Sequence, residues 1–239
     1  MRILIIIPAY NEEGNILHTL QDLKDHYSQA DTLVINDCSR DGTMRLLEQN
    51  SEEHVNLPVN LGIGGAVQTG YLYARQNGYE IAVQFDGDGQ HRADCLQGLV
   101  QPLLDGEADM VVGSRFLPES DQKGFQSSAA RRFGIRLLSF LIRVVTGKRI
   151  YDVTSGFRAV NRELIEYYAE NYAQDYPEPE AIVMALNNGF RVREVPVRMN
   201  ERAEGKSSIR AFSSLYYMIK VSMAIVMTGI HARGKEKEA

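Results

Sequence analysis

Ile81-Ala82-Val83-Gln84-Phe85-Asp86-Gly87-Asp88-Gly89-Gln90 is the stretch on which the reading of the whole chain turns. A five-residue strand, Ile81 to Phe85, runs straight into a turn that carries two carboxylates one residue apart. A short apolar run bounded by turn residues is the pattern of a strand covered on both faces, and such strands belong to sheets flanked by helices. Working outward, Ile3 to Ile7 is a second continuous apolar run, stopped by Pro8, and Leu33 to Ile35, Val55 to Leu57 and Met110 to Val112 are shorter ones. Between them, Ile16, Leu20, Leu23 and Tyr27 fall at helical spacing and predict a helix over 14–27. Further helices are expected over 43–49 and 96–104. Residues 62–77 read as a glycine-rich turn feeding a helix whose small face is Ala66, Gly70 and Ala74. Phe190 to Arg198 alternates as another strand. Strand and helix therefore alternate, which predicts an α/β fold with a mostly parallel sheet flanked by helices. Ligands bind such sheets at the carboxyl ends of the strands. The polar clusters Asn11-Glu12-Glu13, Asn36-Asp37 and Asp86-Gly87-Asp88 all fall there.

Composition narrows the function classes. With 239 residues, 44% hydrophobic and 24% charged, the chain is an ordinary globular protein of one large domain. It has 26 basic against 31 acidic residues, a net charge of −5, so nucleic acid is not an expected partner. Cys38 and Cys95 lack both a disulfide pattern and metal-ligand spacing, which fits a reducing, cytoplasmic compartment. The apolar run Ile3 to Ile7 is too short for a signal-peptide core or a membrane span. Gly62, Gly64 and Gly65 do not form a dinucleotide fingerprint, because Val67 stands where its third glycine would be, and there is no Walker A sequence.

Two segments point to a membrane surface. From Lys123 to Arg149 there are seven basic residues and no acidic one, with Phe133, Leu137, Phe140, Leu141 and Val144 at helical spacing. That describes either a basic amphipathic helix on an anionic bilayer or a core-facing helix with a solvated basic face. Residues 211–230 hold fourteen apolar residues and a single charge, Lys220. They suit a helix in the membrane interface or docked on a membrane-embedded partner, or a core helix; a central lysine disfavours a true span. The charged tail is 231–239.

Several residues carry candidate chemistry. Asp86 and Asp88 on a glycine turn can converge on a hard divalent cation, with Gln90 adding a neutral oxygen; the bland alternative is a solvated Asp-Gly turn. Such a metal would neutralise a diphosphate leaving group. Asp37 suits either the imide N–H of a nucleobase or a cap on the next helix together with Ser39 and Asp41. His91 reads as a support to the acidic turn or as a plain loop residue.

The blocks Ile7 to Glu13, Asn36 to Thr43 and Phe85 to His91 resemble the signatures of family 2 inverting glycosyltransferases, in order and spacing. Gly113-Ser114-Arg115-Phe116, Asp152 to Arg158 and Arg202 to Ser207 narrow the resemblance to polyprenyl-phosphate glycosyltransferases of the dolichyl-phosphate mannose synthase type. It implies a GT-A fold over 1–210, with a nucleotide-sugar half (1–115), an acceptor half (116–210) and C-terminal amphipathic helices. It further implies nucleotide binding by Pro8, Ala9, Tyr10, Glu12, Asp37, Gly64, Asp86, Gly87 and Asp88, and Mg²⁺ or Mn²⁺ on Asp86, Asp88 and Gln90. Acceptor contacts would come from Arg115, Arg131 or Arg132, Ser155, Arg158, Glu180, Arg202 and Lys206, with Asp86, Asp88, Arg115 and Arg202 catalytic. The implied reaction moves a sugar from a nucleotide-sugar, UDP rather than GDP, to a membrane polyprenyl phosphate for cell-envelope glycans. The alternative acceptor is a growing saccharide or cell-wall polymer. Members often carry transmembrane helices; here a small membrane-protein partner is expected to anchor the chain on the inner face of the cell membrane through 211–230.

Overall fold

The computed structural model describes residues 1–117, 120, 129–200 and 218–229, with the backbone alone for 129–131. Seven strands form one sheet: β1 Ile3–Ala9, β2 Asp31–Asn36, β3 His54–Asn56, β4 Ile81–Gln84, β5 Met110–Ser114, β6 Arg158–Asn161 and β7 Val192–Pro196. Their order is β3-β2-β1-β4-β6-β5-β7. Neighbours run parallel except β6, which lies antiparallel to both β4 and β5. The helices are α1 Ile16–His26, α2 Thr43–Gln49, α3 Gly62–Gln76, α4 Leu96–Leu104, α5 Ala129–Thr146, α6 Arg162–Glu170 and α7 Pro177–Asn187, followed by α8 over 218–229.

The sheet explains why its strands are apolar without alternation. Leu4 and Ile6 of β1 join one buried cluster with Val67 and Tyr71 of α3, Leu164 and Tyr168 of α6, and Ile182 of α7. Ile3, Ile5 and Ile7 join a second with Leu20 and Leu23 of α1, Leu47 of α2 and Leu99 of α4. Covering both faces removes every β1 side chain from water, at about 1.5–3 kcal/mol for each large aliphatic group.

Two features differ from the sequence reading, and a third decides between its alternatives. The glycines of 62–65 do not make a turn before α3; they are its first turn. Strand β6 was not anticipated, because four residues opening on an arginine show no strand signal. It brings the segment 158–161 between β4 and β5, so strands from both ends of the chain share one sheet. Phe133, Leu137, Phe140 and Val144 do not face the core, which α5 meets instead through Ile135, Leu138 and Ile142.

Asp109, just before β5, ties three strands. It accepts Asn161 Nδ2 at 3.0 Å, Arg191 Nη2 at 2.8 Å and the Arg191 backbone N–H at 2.8 Å. These bonds, the Arg191 guanidinium first, hold its carboxyl below its ordinary pKa. A carboxyl depressed in the folded state stabilises above its unfolded pKa, and that stability disappears as pH falls through the folded value. Asp109→Asn is therefore expected to lower the unfolding free energy by about 1–2 kcal/mol at pH 7. In urea titrations the gap to wild type closes as the pH drops below the usual carboxylate range.

The approach of α3 to β1 requires Gly70, since a Cβ there would lie 2.3 Å from Ile6 Cγ2. Gly98 in α4 has nothing within 4 Å of the same position. Gly70→Ala is expected to cost about 1–3 kcal/mol by overpacking. Gly98→Ala should gain about 0.5–1 kcal/mol by helix propensity. Chemical denaturation of the two variants in parallel checks both signs.

Candidate active site

The loops after β1, β2 and β4 converge at the carboxyl edge of the sheet. The first two are stitched through their backbones. Asn11, held at φ 58°, donates its N–H to Ser39 Oγ at 3.0 Å, and its Oδ1 accepts Arg40 N–H at 2.8 Å. Glu12 N–H donates to Thr43 Oγ1 at 2.9 Å, and Glu13 Oε2 accepts Gly42 N–H at 2.9 Å. Pro8 and Ala9 are buried beneath this lattice, while the Tyr10 ring is exposed. Gly87 lies against β1, where a Cβ would be 3.3 Å from the Pro8 carbonyl oxygen.

Asp37 is only 3% exposed. Its Oδ1 accepts Leu61 N–H at 2.7 Å and its Oδ2 accepts Gly62 N–H at 2.9 Å. The carboxylate therefore caps α3, across the site, rather than α2, the helix that follows it in sequence. The start of α2 is served by Asp41 Oδ1, which accepts Thr43 N–H at 3.0 Å. An anion at a helix N-terminus satisfies free N–H groups and the helix dipole together. Gly64, in the same first turn, is a packing requirement, since a Cβ would sit 2.4 Å from the Gln174 carbonyl oxygen.

Asp86 is held from behind and open in front. Gln84 Nε2 donates to its Oδ1 at 3.2 Å, and its backbone N–H donates to His91 Nδ1 at 2.9 Å. Gly156 closes the back, where a Cβ would lie 2.8 Å from Asp86 Oδ2. The side chain nevertheless stays 34% exposed. Asp88 Oδ1 accepts Gln90 N–H at 3.1 Å, and Gly89 at φ +74° makes the turn. Two carboxylates and the half-buried amide of Gln90 are hard oxygen donors of the kind that Mg²⁺ or Mn²⁺ takes. No group of three or more His, Cys, Asp or Glu suited to a metal occurs among the described residues. A cation here would therefore complete its coordination from a ligand's oxygens and water, the usual arrangement for ions bound with phosphates.

Two arginines are built into the walls. Arg115, 8% exposed, forms a fork with Asp152: Nε to Oδ2 at 2.7 Å and Nη2 to Oδ1 at 2.7 Å. Asp152 is itself fully buried and also accepts Arg115 N–H at 3.0 Å. Arg158, fully buried, donates Nε and Nη2 to the Ser155 carbonyl oxygen and Nη1 to that of Glu178. Both guanidiniums thus meet acceptors of the fold itself. Ser155 Oγ and Gln84 Oε1 are buried without a hydrogen-bond partner among the described residues.

The acidic residue expected here was Glu180, in the first turn of α7, where burial and then Asp175 raise its pKa. Glu178 stands two residues earlier in the same turn. Burial raises the Glu178 pKa against the pull of Arg158, and the charges of Asp86 and Arg115 also reach it. The backbone carbonyl of Glu178 also accepts Arg158 Nη1 at 3.1 Å, which ties the start of α7 to that buried guanidinium. The Pro-Glu-Pro-Glu run signals a helix start but does not say which glutamate turns inward. Arg132 is exposed on α5. The Arg131 side chain, Arg202 and Lys206 lie outside the described residues.

Comparisons with known proteins identify the family. The model for glycosyl transferase family 2 matches residues 4–169. An undecaprenyl-phosphate mannosyltransferase of Micrococcus luteus is 30% identical over 217 residues, 87% of this chain and 88% of the relative. A UDP-N-acetylglucosamine–dolichyl-phosphate N-acetylglucosaminyltransferase of Methanococcus voltae is 28% identical over 94% of this chain and 98% of its own length. Among solved structures, glucosyl-3-phosphoglycerate synthase of Mycobacterium tuberculosis, with Mg²⁺ and UDP, superposes with a TM-score of 0.71 at 21% identity, covering 98% of this chain and 79% of that one. This last likeness bears on fold, and the fold is the expected GT-A architecture. The loops after β1, β2 and β4 all lie inside the matched span, and the chain belongs to glycosyl transferase family 2.

Proposed function

We propose that the protein transfers a sugar from a nucleotide-sugar, UDP-linked, to the phosphate of a membrane polyprenyl phosphate, with inversion at the anomeric carbon, for cell-envelope glycan synthesis. The observation that carries this reading is the Asp86 carboxylate, clamped from behind yet 34% exposed on the turn that leaves β4 at the carboxyl edge of the sheet. The relatives support the acceptor class more than the sugar, since their names share a polyprenyl or dolichyl phosphate and differ in mannose and N-acetylglucosamine.

The chemistry follows from charge. A phosphate monoester is already an anionic nucleophile at neutral pH, so the oxygen–carbon bond can form as the bond to the diphosphate breaks, without a strong general base. The difficulty is bringing two anions together, which positioning and fixed positive charge overcome. A divalent cation on Asp86, Asp88 and Gln90 would neutralise the departing diphosphate. Pro8, Ala9, Tyr10, Glu12 and Asp37 would line the nucleoside. Arg115 and Arg158 would brace the walls, and Arg132, Arg202 and Lys206 would attract the acceptor phosphate.

The membrane side has its own support. Opposite its buried face, α5 exposes Phe133 (71%), Phe140 (60%) and Val144 (58%) to solvent. Gly134 sits against Met218 and Gly229 against Val145, so α8 runs parallel beside α5 and extends this face with Ile219, Met223, Val226 and Met227. Arg132, Arg136 and Arg143 flank the strip, and neither 129–146 nor 218–229 contains an acidic residue. No helix among the described residues is long and apolar enough to cross a membrane. We place this face against the inner leaflet, with a small membrane-protein partner as a second anchor.

Two outcomes are expected. Membranes containing the protein, given labelled UDP-sugars, Mn²⁺ and undecaprenyl phosphate, should move label into the organic phase with one donor, and Asp88→Ala should reduce this by at least ~100-fold, as for loss of a several-kcal/mol electrostatic term. Label in a water-soluble polymer instead would favour the saccharide acceptor. The purified protein should also float with phosphatidylglycerol vesicles, less so at high salt, and Phe133→Glu with Phe140→Glu should abolish it. Flotation with native membranes but not with lipid vesicles would assign the attachment to the partner.

A further inference from the structure

We infer that His91 is a positioning residue for the metal-binding turn, one imidazole that anchors the Asp86 backbone through Nδ1 and orients the Asp86 carboxylate through Nε2–H. This rests on the proposed metal site at Asp86 and Asp88. Because Nδ1 accepts the Asp86 N–H at 2.9 Å, that nitrogen carries no proton and the ring hydrogen sits on Nε2. Nε2 stands 3.6 Å from Asp86 Oδ2, too long for a hydrogen bond but close enough for the N–H dipole to act on the carboxylate.

The ring has little freedom to do anything else. It is 3% exposed, stacks on Phe157 at 4.7 Å and 17°, and meets the edge of Phe85 at 5.3 Å and 83°. Phe157 follows Gly156, whose missing side chain makes room for Asp86. The backbone of Met199 pairs with that of His91 as an antiparallel bridge, and Asn200 holds the turn by its N–H to Gln90 O at 2.9 Å and by Nδ2 to Gly89 O at 3.2 Å. A packing histidine would satisfy its surroundings by ring shape alone. Here Nδ1 bonds the Asp86 backbone and Nε2 stands 3.6 Å from the carboxylate of the same residue, so one ring touches both ends of a residue in the proposed metal site.

The test measures Mn²⁺ binding in the presence of UDP, from the free-Mn²⁺ paramagnetic resonance signal, with thermal unfolding of each variant alongside. His91→Phe keeps the stacked ring and loses both nitrogens, and is expected to weaken Mn²⁺ binding by roughly 10–100-fold. His91→Asn keeps an acceptor where Nδ1 stood but lacks the Nε2–H, and should fall between, about 3–10-fold weaker than wild type. Where the Phe variant does not fold, the Asn variant decides alone. Wild-type affinity in a folded variant of either kind would overturn the inference. Asp88→Ala in the same titration separates the two ideas: if it too binds Mn²⁺·UDP like wild type, the metal site itself is misplaced.

Discussion

The structure depends on how a carboxylate can be kept ready at the edge of a buried sheet. On the proposed reaction Asp86 meets an anionic diphosphate, so its direction cannot be left for that ligand to impose. The protein meets this constraint from behind, with the Gln84 amide and the His91 imidazole on either side and the bare α-carbon of Gly156 at the back. Gly156 reaches that position because β6, which begins two residues later, enters the sheet antiparallel beside β4. The inserted strand is thus a condition of the site. A parallel neighbour would arrive from the opposite end and leave the back of Asp86 uncovered.

The same logic governs the buried cations. A guanidinium taken out of water has to find its acceptors inside the protein or cost several kcal/mol. Arg115 finds a bidentate carboxylate in Asp152, and Arg158 finds the carbonyl oxygens of Ser155 and Glu178. On the proposed function, any role of theirs toward an anionic ligand is exerted by field and by wall geometry rather than by a mobile grip. Three exposed arginines, Arg132, Arg136 and Arg143, lie on α5 beside its exposed phenylalanines, and that helix carries no acidic residue. A chain of net charge −5 that gathers arginine and no carboxylate on one apolar face has a preferred orientation at a negative surface.

Some of this was legible residue by residue. The apolar runs, the helical spacing of Ile16, Leu20 and Leu23, and the acidic glycine turn after Phe85 each follow from local chemistry. Asp37 shows where local reading stops. Its neighbours make it look like a cap for α2, yet the chain folds so that the N–H groups of Leu61 and Gly62 are nearer. Glu178 and Glu180 are equivalent in sequence, two acidic residues in one helical turn, and only the packing of α7 brings the Glu178 carbonyl to the Arg158 guanidinium. On α5 the apolar residues occupy two stripes, and spacing does not say which stripe meets the core. The answer is Ile135, Leu138 and Ile142.

The sequence by itself determined the α/β alternation, the placing of polar clusters after strands, and the family those clusters share. These follow from periodicity and from residues that carry their chemistry wherever they stand. Tertiary structure alone decided which charges are spent inside the protein and which face outward. It also decided which end of β6 meets β4, and which side of the two amphipathic helices is left uncovered. Those outcomes depend on contacts between residues tens of positions apart, as Arg115 with Asp152 or Asp86 with Gly156. A buried charge commits to whichever acceptor the packed core brings within reach.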